Sequence, residues 1–343
     1  MNSTRLNWAV EGASFVKPIA HLRNRLSNFP EVVALISFLL VFLFFAIKAE
    51  NFLSLVSLTN ILSIASIKGI FVIGVAILMI SGEFDLSVGS TLAVAAYIFA
   101  LTIENGMSVL LALLLALIVS ALLGLINGLI VTKARIPSFI ATLGTMMAYR
   151  GIARALGGGD FARFTGEKPY LFKILNGEIN FINQLGTPAG SARMTIIWFV
   201  IIVIIASIVM TRTRYGSWVY ATGGNREAAL AQGVRTNRVI ITNFVLTAVL
   251  AGLAGLVQFA SRPSVDPLRG EGWELIAVAS CVIGGIWLKG GYGTIIGAAI
   301  GIILLQMVEQ GLILIGVDVQ LFQATIGLIL ILAVISNNYL SRQ

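Results

Sequence analysis

The chain has 343 residues, of which 58% are hydrophobic and only 11% charged. That is more apolar surface than one soluble domain of this length can cover, so the chain reads as an integral membrane protein. Its net charge of +8 comes from basic residues scattered in short loops between apolar runs, a pattern that sets membrane orientation and argues against nucleic acid as a partner. The single cysteine, Cys281, lies in an apolar segment, so neither a disulfide framework nor a cysteine-rich metal site is available, and no cofactor is expected.

The N-terminal segment 1–31 is polar and carries the only histidine, His21, read as a solvated surface residue. It is too long for the leader of a cleavable signal peptide and no small-x-small site follows, so the first span is expected to remain as an anchor. Apolar runs follow at 32–48, 57–80, 86–103, 107–131, 136–155, 194–211, 239–260, 274–288, 293–314 and 318–336. At roughly 20 residues per crossing they predict one all-α membrane domain over 32–337, with about ten transmembrane helices and a short tail at 338–343. An even number of spans puts both termini on one side. Arg23, Arg25, Lys133, Arg135, Arg212, Arg214, Arg226, Arg235 and Arg238 then share that face, which the positive-inside rule makes cytoplasmic.

Lys68 is a charge within a span, and unpaired at the centre it would cost roughly 3 kcal/mol, so it is expected to snorkel or to face the bundle interior. Gln306 and Glu309, in the ninth run, read as packing or interfacial residues. Two stretches interrupt the apolar pattern, SGEFDLSVGS at 81–90 and GGIWLKGGYGTIIG at 284–297. Backbone freed from helical bonding survives at membrane depth only beside protein or water, so buried breaks would line a pathway and interfacial ones would be turns. In the first, Asp85 is placed to cap the following helix through the amide of Ser87 or Val88. The long loop 156–193 is punctuated by Gly, Asn and Pro and suits a compact excursion with a small hairpin; a second loop, 261–274, carries Trp273 as an interfacial anchor.

Between the sixth and seventh runs, within loop 212–238, YATGGNREAALAQG at 220–233 reads as a short polar helix. Asn225 is expected to cap it, Glu227 to favour its first turn, and Gly233 to close it in a left-handed conformation. Ala228, Ala229 and Ala231 would form a small smooth face, suited to a partner's cleft or simply to a solvated connector. There is no G-x-x-x-x-G-K-[ST] phosphate loop, no H-E-x-x-H pair and no G-x-S-x-G elbow, so neither ATP hydrolysis nor any other catalysis can be assigned to the chain.

Four blocks in order, GEFDLSVGS at 82–90, NGLIVTKARIPSFIATLGTMMAYRG at 127–151, GGNREAALAQGV at 223–234 and IAVASCVIGGIWLKGGYGTIIGA at 276–298, resemble the permease subunit of ribose-type ATP-binding-cassette (ABC) importers. That group carries simple sugars and autoinducer-2. The chain departs from it at Glu83 and Phe84, where the family usually shows Gly and Ile, and it lacks the Ile-x-Leu-Pro found downstream of the coupling loop in other importer classes. The resemblance implies a ten-helix fold in the bacterial inner membrane. It also implies a second permease subunit, identical or different, cytoplasmic ABC ATPase subunits, and an external or periplasmic sugar-binding protein. On this reading Asn225, Glu227, Ala228, Ala229 and Gly233 couple to the ATPase. A neutral sugar needs hydrogen-bond partners and no countercharge, which makes Asp85, Ser87, Ser90, Asn127, Thr142 and Thr145 candidate pathway residues, with helix-to-helix bonding the competing role of each. An ion-coupled secondary transporter is the alternative, with Glu83, Asp85 and Glu309 as its candidate carboxylates.

This topology makes a specific prediction: a cysteine introduced by Ser217→Cys is labelled by an impermeant thiol reagent in inside-out vesicles and not in intact cells. Labelling from outside intact cells would reverse the orientation.

Overall fold

The computed structural model describes residues 30–318 and, beyond them, 321–322, 324–328 and 331. The expectations for segment 1–31, His21 and the tail, and for much of the last apolar run, therefore lie outside the described residues. In chain order the elements are α1 Pro30–Lys48, α2 Leu55–Ile80, α3 Val88–Glu104, α4 Val109–Lys133, α5 Ser138–Leu156, β1 Ala162–Arg163, α6 Tyr170–Asn176 and α7 Asn180–Asn183. They continue as α8 Thr195–Arg212, α9 Arg214–Gly224, α10 Arg226–Ala231, α11 Thr236–Ser261, β2 Ser264–Val265, α12 Trp273–Ile283 and α13 Ile295–Leu314. Among the described residues five helices, α2, α4, α8, α11 and α13, are long and apolar enough to cross a membrane; α3, α12 and the Ala34–Lys48 part of α1 are shorter apolar helices.

At the centre lie α2 and α11, with α3 packed on α11 and α4 on both α3 and α11. Central α2 is enclosed over most of its length, whereas α4 and α8 turn most of theirs outward. What they turn outward is apolar: Leu110, Leu111, Leu114 and Ile118 on α4, and Val200, Ile204, Ile205 and Ile208 on α8. A water-soluble fold would hide these side chains, while a bilayer solvates them. Side-chain caps fix several helix starts: Ser54 accepts from the Ser57 amide at 3.2 Å ahead of α2, and Thr294 from the Gly297 amide at 3.0 Å ahead of α13.

The run at 274–288 makes a shorter helix than its length suggests, because α12 stops at Ile283 where Gly284 and Gly285 follow. Trp273, its first residue, stacks on Phe71 near the middle of α2 with ring centroids 5.8 Å apart. Beyond its far end the Gly291 amide donates to the carbonyl of Ile80, the last residue of α2, at 2.8 Å. α12 therefore begins level with the middle of α2, as a half-length helix. α3 begins at the same level, since Gly89 lies against the Gly270 carbonyl and the Glu274 carboxylate.

Of the hairpin expected within loop 156–193, the described residues show a single antiparallel bridge, Glu178 opposite Arg193. β1 pairs instead with β2 of the second loop, antiparallel, Ala162 opposite Val265 and Arg163 opposite Ser264, so that strand's partner comes from a segment distant in sequence. The loop is anchored by α6, whose Phe172 packs edge-on against Phe259 of α11 and beside Phe99 of α3. Buried Asn176 donates to the Val257 carbonyl at 3.0 Å and accepts from Thr195 at 2.9 Å.

Lys68 neither snorkels nor stays alone. Its Nζ donates to Gln306 Oε1 at 2.9 Å and to Glu309 Oε2 at 3.0 Å, and it lies 5.7 Å from the Trp273 ring centroid. The pair ties the middle of α2 to α13 and corrects the reading of Gln306 and Glu309 as packing residues. With the Lys68 side chain 7% and the Glu309 side chain 22% exposed, removing one partner strands a poorly solvated charge. Lys68→Met is expected to destabilise the detergent-solubilised protein by about 2 kcal/mol, between the values for exposed and buried pairs. Thermal unfolding measures the loss, and adding Glu309→Gln should recover most of it.

Candidate functional site

The segment between α2 and α3 leaves helical geometry and is held by side chains. The Phe84 amide donates to Ser138 Oγ at 3.0 Å, and the Ser87 amide and hydroxyl donate to Asp85 Oδ1 at 2.8 and 2.6 Å. Asp85 does not supply the cap of α3 expected from sequence: the N-cap position is Ser87, and Asp85 accepts from the Ser87 amide, so it turns the backbone just ahead of the helix. Asn127 Nδ2, from α4, donates to Ser87 Oγ at 2.8 Å and lies 3.4 Å from both Asp85 carboxylate oxygens. Tyr149 Oη, from α5, is 3.1 Å from Asn127 Oδ1 and 3.0 Å from the Leu123 carbonyl oxygen, so its one proton is shared between two acceptors.

Three of the six pathway candidates, Asp85, Ser87 and Asn127, are therefore brought together in one closed network, and all three are buried within the chain. Ser90 donates to the Met146 carbonyl at 2.9 Å, joining α3 to α5, and Thr142 donates to the Ser138 carbonyl at 2.7 Å. Thr145, half-buried, donates to the Thr142 carbonyl at 3.3 Å. It borders a face of α5 that no other element covers among the described residues, where Ile140, Leu143 and Met147 are exposed and Gly144 has open space before it. Tyr149 was missed from sequence, although its spacing of seven residues from Thr142 and four from Thr145 on one helix was a readable signal.

The second break, 284–294, ends against the first. The Gly291 amide meets Ile80, a side chain on Gly290 would strike the Gly82 backbone at 2.7 Å, and one on Gly291 would strike Gly224 Cα at 2.6 Å. Tyr220 Oη of α9 donates to the Gly293 carbonyl at 2.9 Å. Three chain segments, the end of α2, the end of α9 and this loop, thus approach backbone to backbone. Only residues without a Cβ permit that distance.

Directly after α9 comes α10. Asn225 Oδ1 accepts from the Ala228 amide at 3.0 Å. Gly233, at φ +83°, ends α10 with its own amide bonded to the Leu230 carbonyl and the Val234 amide bonded to that of Ala229, a Schellman closure. The helix is Arg226–Ala231, and Tyr220–Gly224 belong to α9 instead. The smooth alanine face requires correction: Ala229 is buried toward the chain's own core, and the outward face carries Glu227, Ala228, Leu230 and Ala231, with Leu230 52% exposed. A helix this short presents one inward residue per turn, and the smallest side chain took the inward place. Arg226 donates to Asn237 Oδ1 at 2.9 Å and lies 3.5 Å from Glu83 Oε1.

Elsewhere a crevice of about 270 Å³ opens among Asn60, Ser63, Ser191, Arg193, Gln258 and Trp273, and the Gln258 Oε1 there has no partner.

Residues 57–334 match the family described as branched-chain amino acid transport system / permease component. The chain belongs to this permease family. It is 34% identical over 308 residues to the "Autoinducer 2 import system permease protein LsrC" of Yersinia enterocolitica, covering 89% of this chain and 82% of that protein. The Yersinia pseudotuberculosis protein of the same name is 35% identical over 89% of this chain and 84% of its own length. No solved structure matches the chain. The permease is a multi-pass membrane subunit of a sugar-type ABC importer, a transporter component and not an enzyme, and no observation favours an ion-coupled carrier. Glu309, one of the three carboxylates such a carrier would use, is committed to Lys68.

Because Asp85 is enclosed by Ser87 and Asn127, Asp85→Ala is expected to lower thermal stability by about 1 to 2 kcal/mol through the lost turn and the donors left unpaired. Thermal unfolding with transport assayed in parallel checks this. Unchanged stability with lost uptake would place Asp85 in contact with cargo.

Proposed function

We propose that this permease imports a small polyhydroxy compound of the autoinducer-2 or pentose kind across the bacterial inner membrane, by alternating access and without altering it chemically. The cargo reading follows the relatives' names, since the family description itself speaks of branched-chain amino acids. It is supported by the kind of side chains that interrupt the apolar bundle. Most are hydroxyls and amides, Asn60, Ser63 and Gln258 at the crevice and Thr145 beside the open α5 face, and the charged residues lining the crevice, Arg193 and Arg262, are both basic. An amino acid zwitterion would instead call for charges of both signs to meet it.

In this reading the chain crosses the membrane ten times with both termini cytoplasmic, and α10 docks into cytoplasmic ATPase subunits that supply the energy. A second permease subunit covers the open face of α5, so that Thr145 borders the passage between the two, and an external binding protein delivers cargo to the opposite side. Asn225 and Gly233 give α10 its two ends, Glu227, Ala228 and Leu230 face the ATPase, and buried Ala229 seats the helix on the permease. The observation that carries the assignment is the outward Leu230 on a helix closed at both ends, a large apolar side chain left 52% exposed among the described residues.

Leu230→Asp should leave insertion unchanged and thermal stability nearly so, since about half of the side chain is exposed. Copurification of the ATPase and cargo-stimulated hydrolysis in the reconstituted complex are expected to fall at least tenfold, the loss typical of one central apolar contact. Full retention of both would remove α10 as the docking element.

A further inference from the structure

Beyond the docking face, α10 carries a second connection that points into the bundle. Its first residue, Arg226, is held by Asn237 of α11 through Nη2 at 2.9 Å, which leaves Nη1 directed at Glu83 Oε1, 3.5 Å away. Glu83 belongs to the break after α2, and the amide of the next residue, Phe84, donates to the Ser138 hydroxyl at the start of α5 at 3.0 Å. A short path therefore runs from α10 through Arg226, Glu83 and the adjoining Phe84 amide to Ser138 and α5, the helix whose outer face is uncovered among the described residues.

One feature separates this path from ordinary surface pairing. The pair is unevenly solvated, with the Glu83 side chain 13% exposed and Arg226 41% exposed. An ion pair with one half-exposed member shifts an equilibrium by no more than about fivefold. That is too weak to brace the fold and suitable for a contact that opens and closes in each cycle.

We propose that Arg226 and Glu83 form a latch by which the position of the coupling helix sets the position of α5. They act as positioning residues for transport and not as cargo ligands. The inference rests on the importer reading. When the ATPase moves α10, Arg226 moves with it, and the carboxylate that it holds belongs to the residue just before Phe84, whose amide is bonded to Ser138. With the latch intact, ATP hydrolysis and α5 movement stay in step. With it broken, α10 still docks and hydrolysis continues, but more ATP is spent for each solute moved.

The test is the whole importer in proteoliposomes, with ATP hydrolysed per solute imported as the readout beside copurification and thermal stability. Glu83→Gln and Arg226→Gln are each expected to raise that ratio about fivefold, the worth of one such pair, with assembly and stability unchanged. Exchanging the charges, Glu83→Arg with Arg226→Glu, should bring the ratio back toward that of the natural protein. Where the exchanged pair fails to fold, salt decides: raising ionic strength should increase the ratio in the natural protein and leave Glu83→Gln unmoved. A natural-protein ratio in either single variant would overturn the latch. So would uptake and hydrolysis falling together with a lowered melting temperature, which would mark a plain structural contact. Should the natural chain fail to bind any ATPase, the importer reading fails and not the latch.

Discussion

A backbone that leaves its helix among packed side chains must find most of its hydrogen bonds within the protein, because a buried amide left unpaired is costly. Much of the interior of this permease follows from that constraint. After α2 the Glu83 amide bonds back to the Leu78 carbonyl, the Phe84 amide to Ser138, and the Ser87 amide to Asp85. After α12 the Gly291 amide is satisfied by Ile80. The two breaks support each other, and neither could be straightened without orphaning groups in the other.

The same constraint sorts the polar residues by what they have left to offer. Asp85, Ser87, Asn127 and Tyr149 spend their hydrogen-bonding capacity on one another, so their first task is to hold α3, α4 and α5 in register. Ser90 and Thr142 spend theirs on backbone carbonyls. Groups with capacity remaining lie nearer the edges, at the unpartnered Gln258 oxygen and along the open side of α5. A transporter of neutral solutes needs sites that bind weakly and release, and groups already committed to the fold are poor material for them.

Much of the architecture was legible because long apolar runs leave few alternatives: 57–80 became Leu55–Ile80 and 194–211 became Thr195–Arg212, each nearly end to end. The caps of α10 were legible too, since Asn225 and Gly233 act on neighbours a few residues away. What could not be read were contacts between residues distant in sequence. Nothing local told Lys68 that its partner would be Glu309, or β1 that its partner would come from the loop after α11. The inward turn of Ala229 was hidden for a different reason. Six residues are too few for periodicity to show which face is covered, and alanine suits a buried position and a docking surface equally well.

The two charge pairs that reach into the bundle divide it into parts of unequal stiffness. Lys68 and Glu309 meet at the middle of α2, where both are poorly solvated, and breaking the pair costs about 2 kcal/mol. Arg226 and Glu83 meet at the end of α2, where one partner is half in solvent, and separating them costs about 1 kcal/mol or less. α2 is thus fixed to α13 along its middle while its end, where the two breaks and the root of α10 converge, is held by glycine contacts and one weak pair. Glycine contacts resist compression but, with no side chains interlocked, offer little resistance to sliding or parting. On the proposed coupling role of α10, a push delivered there would meet the bundle at its more weakly held end, while the Lys68–Glu309 pair ties the middle of α2 to α13.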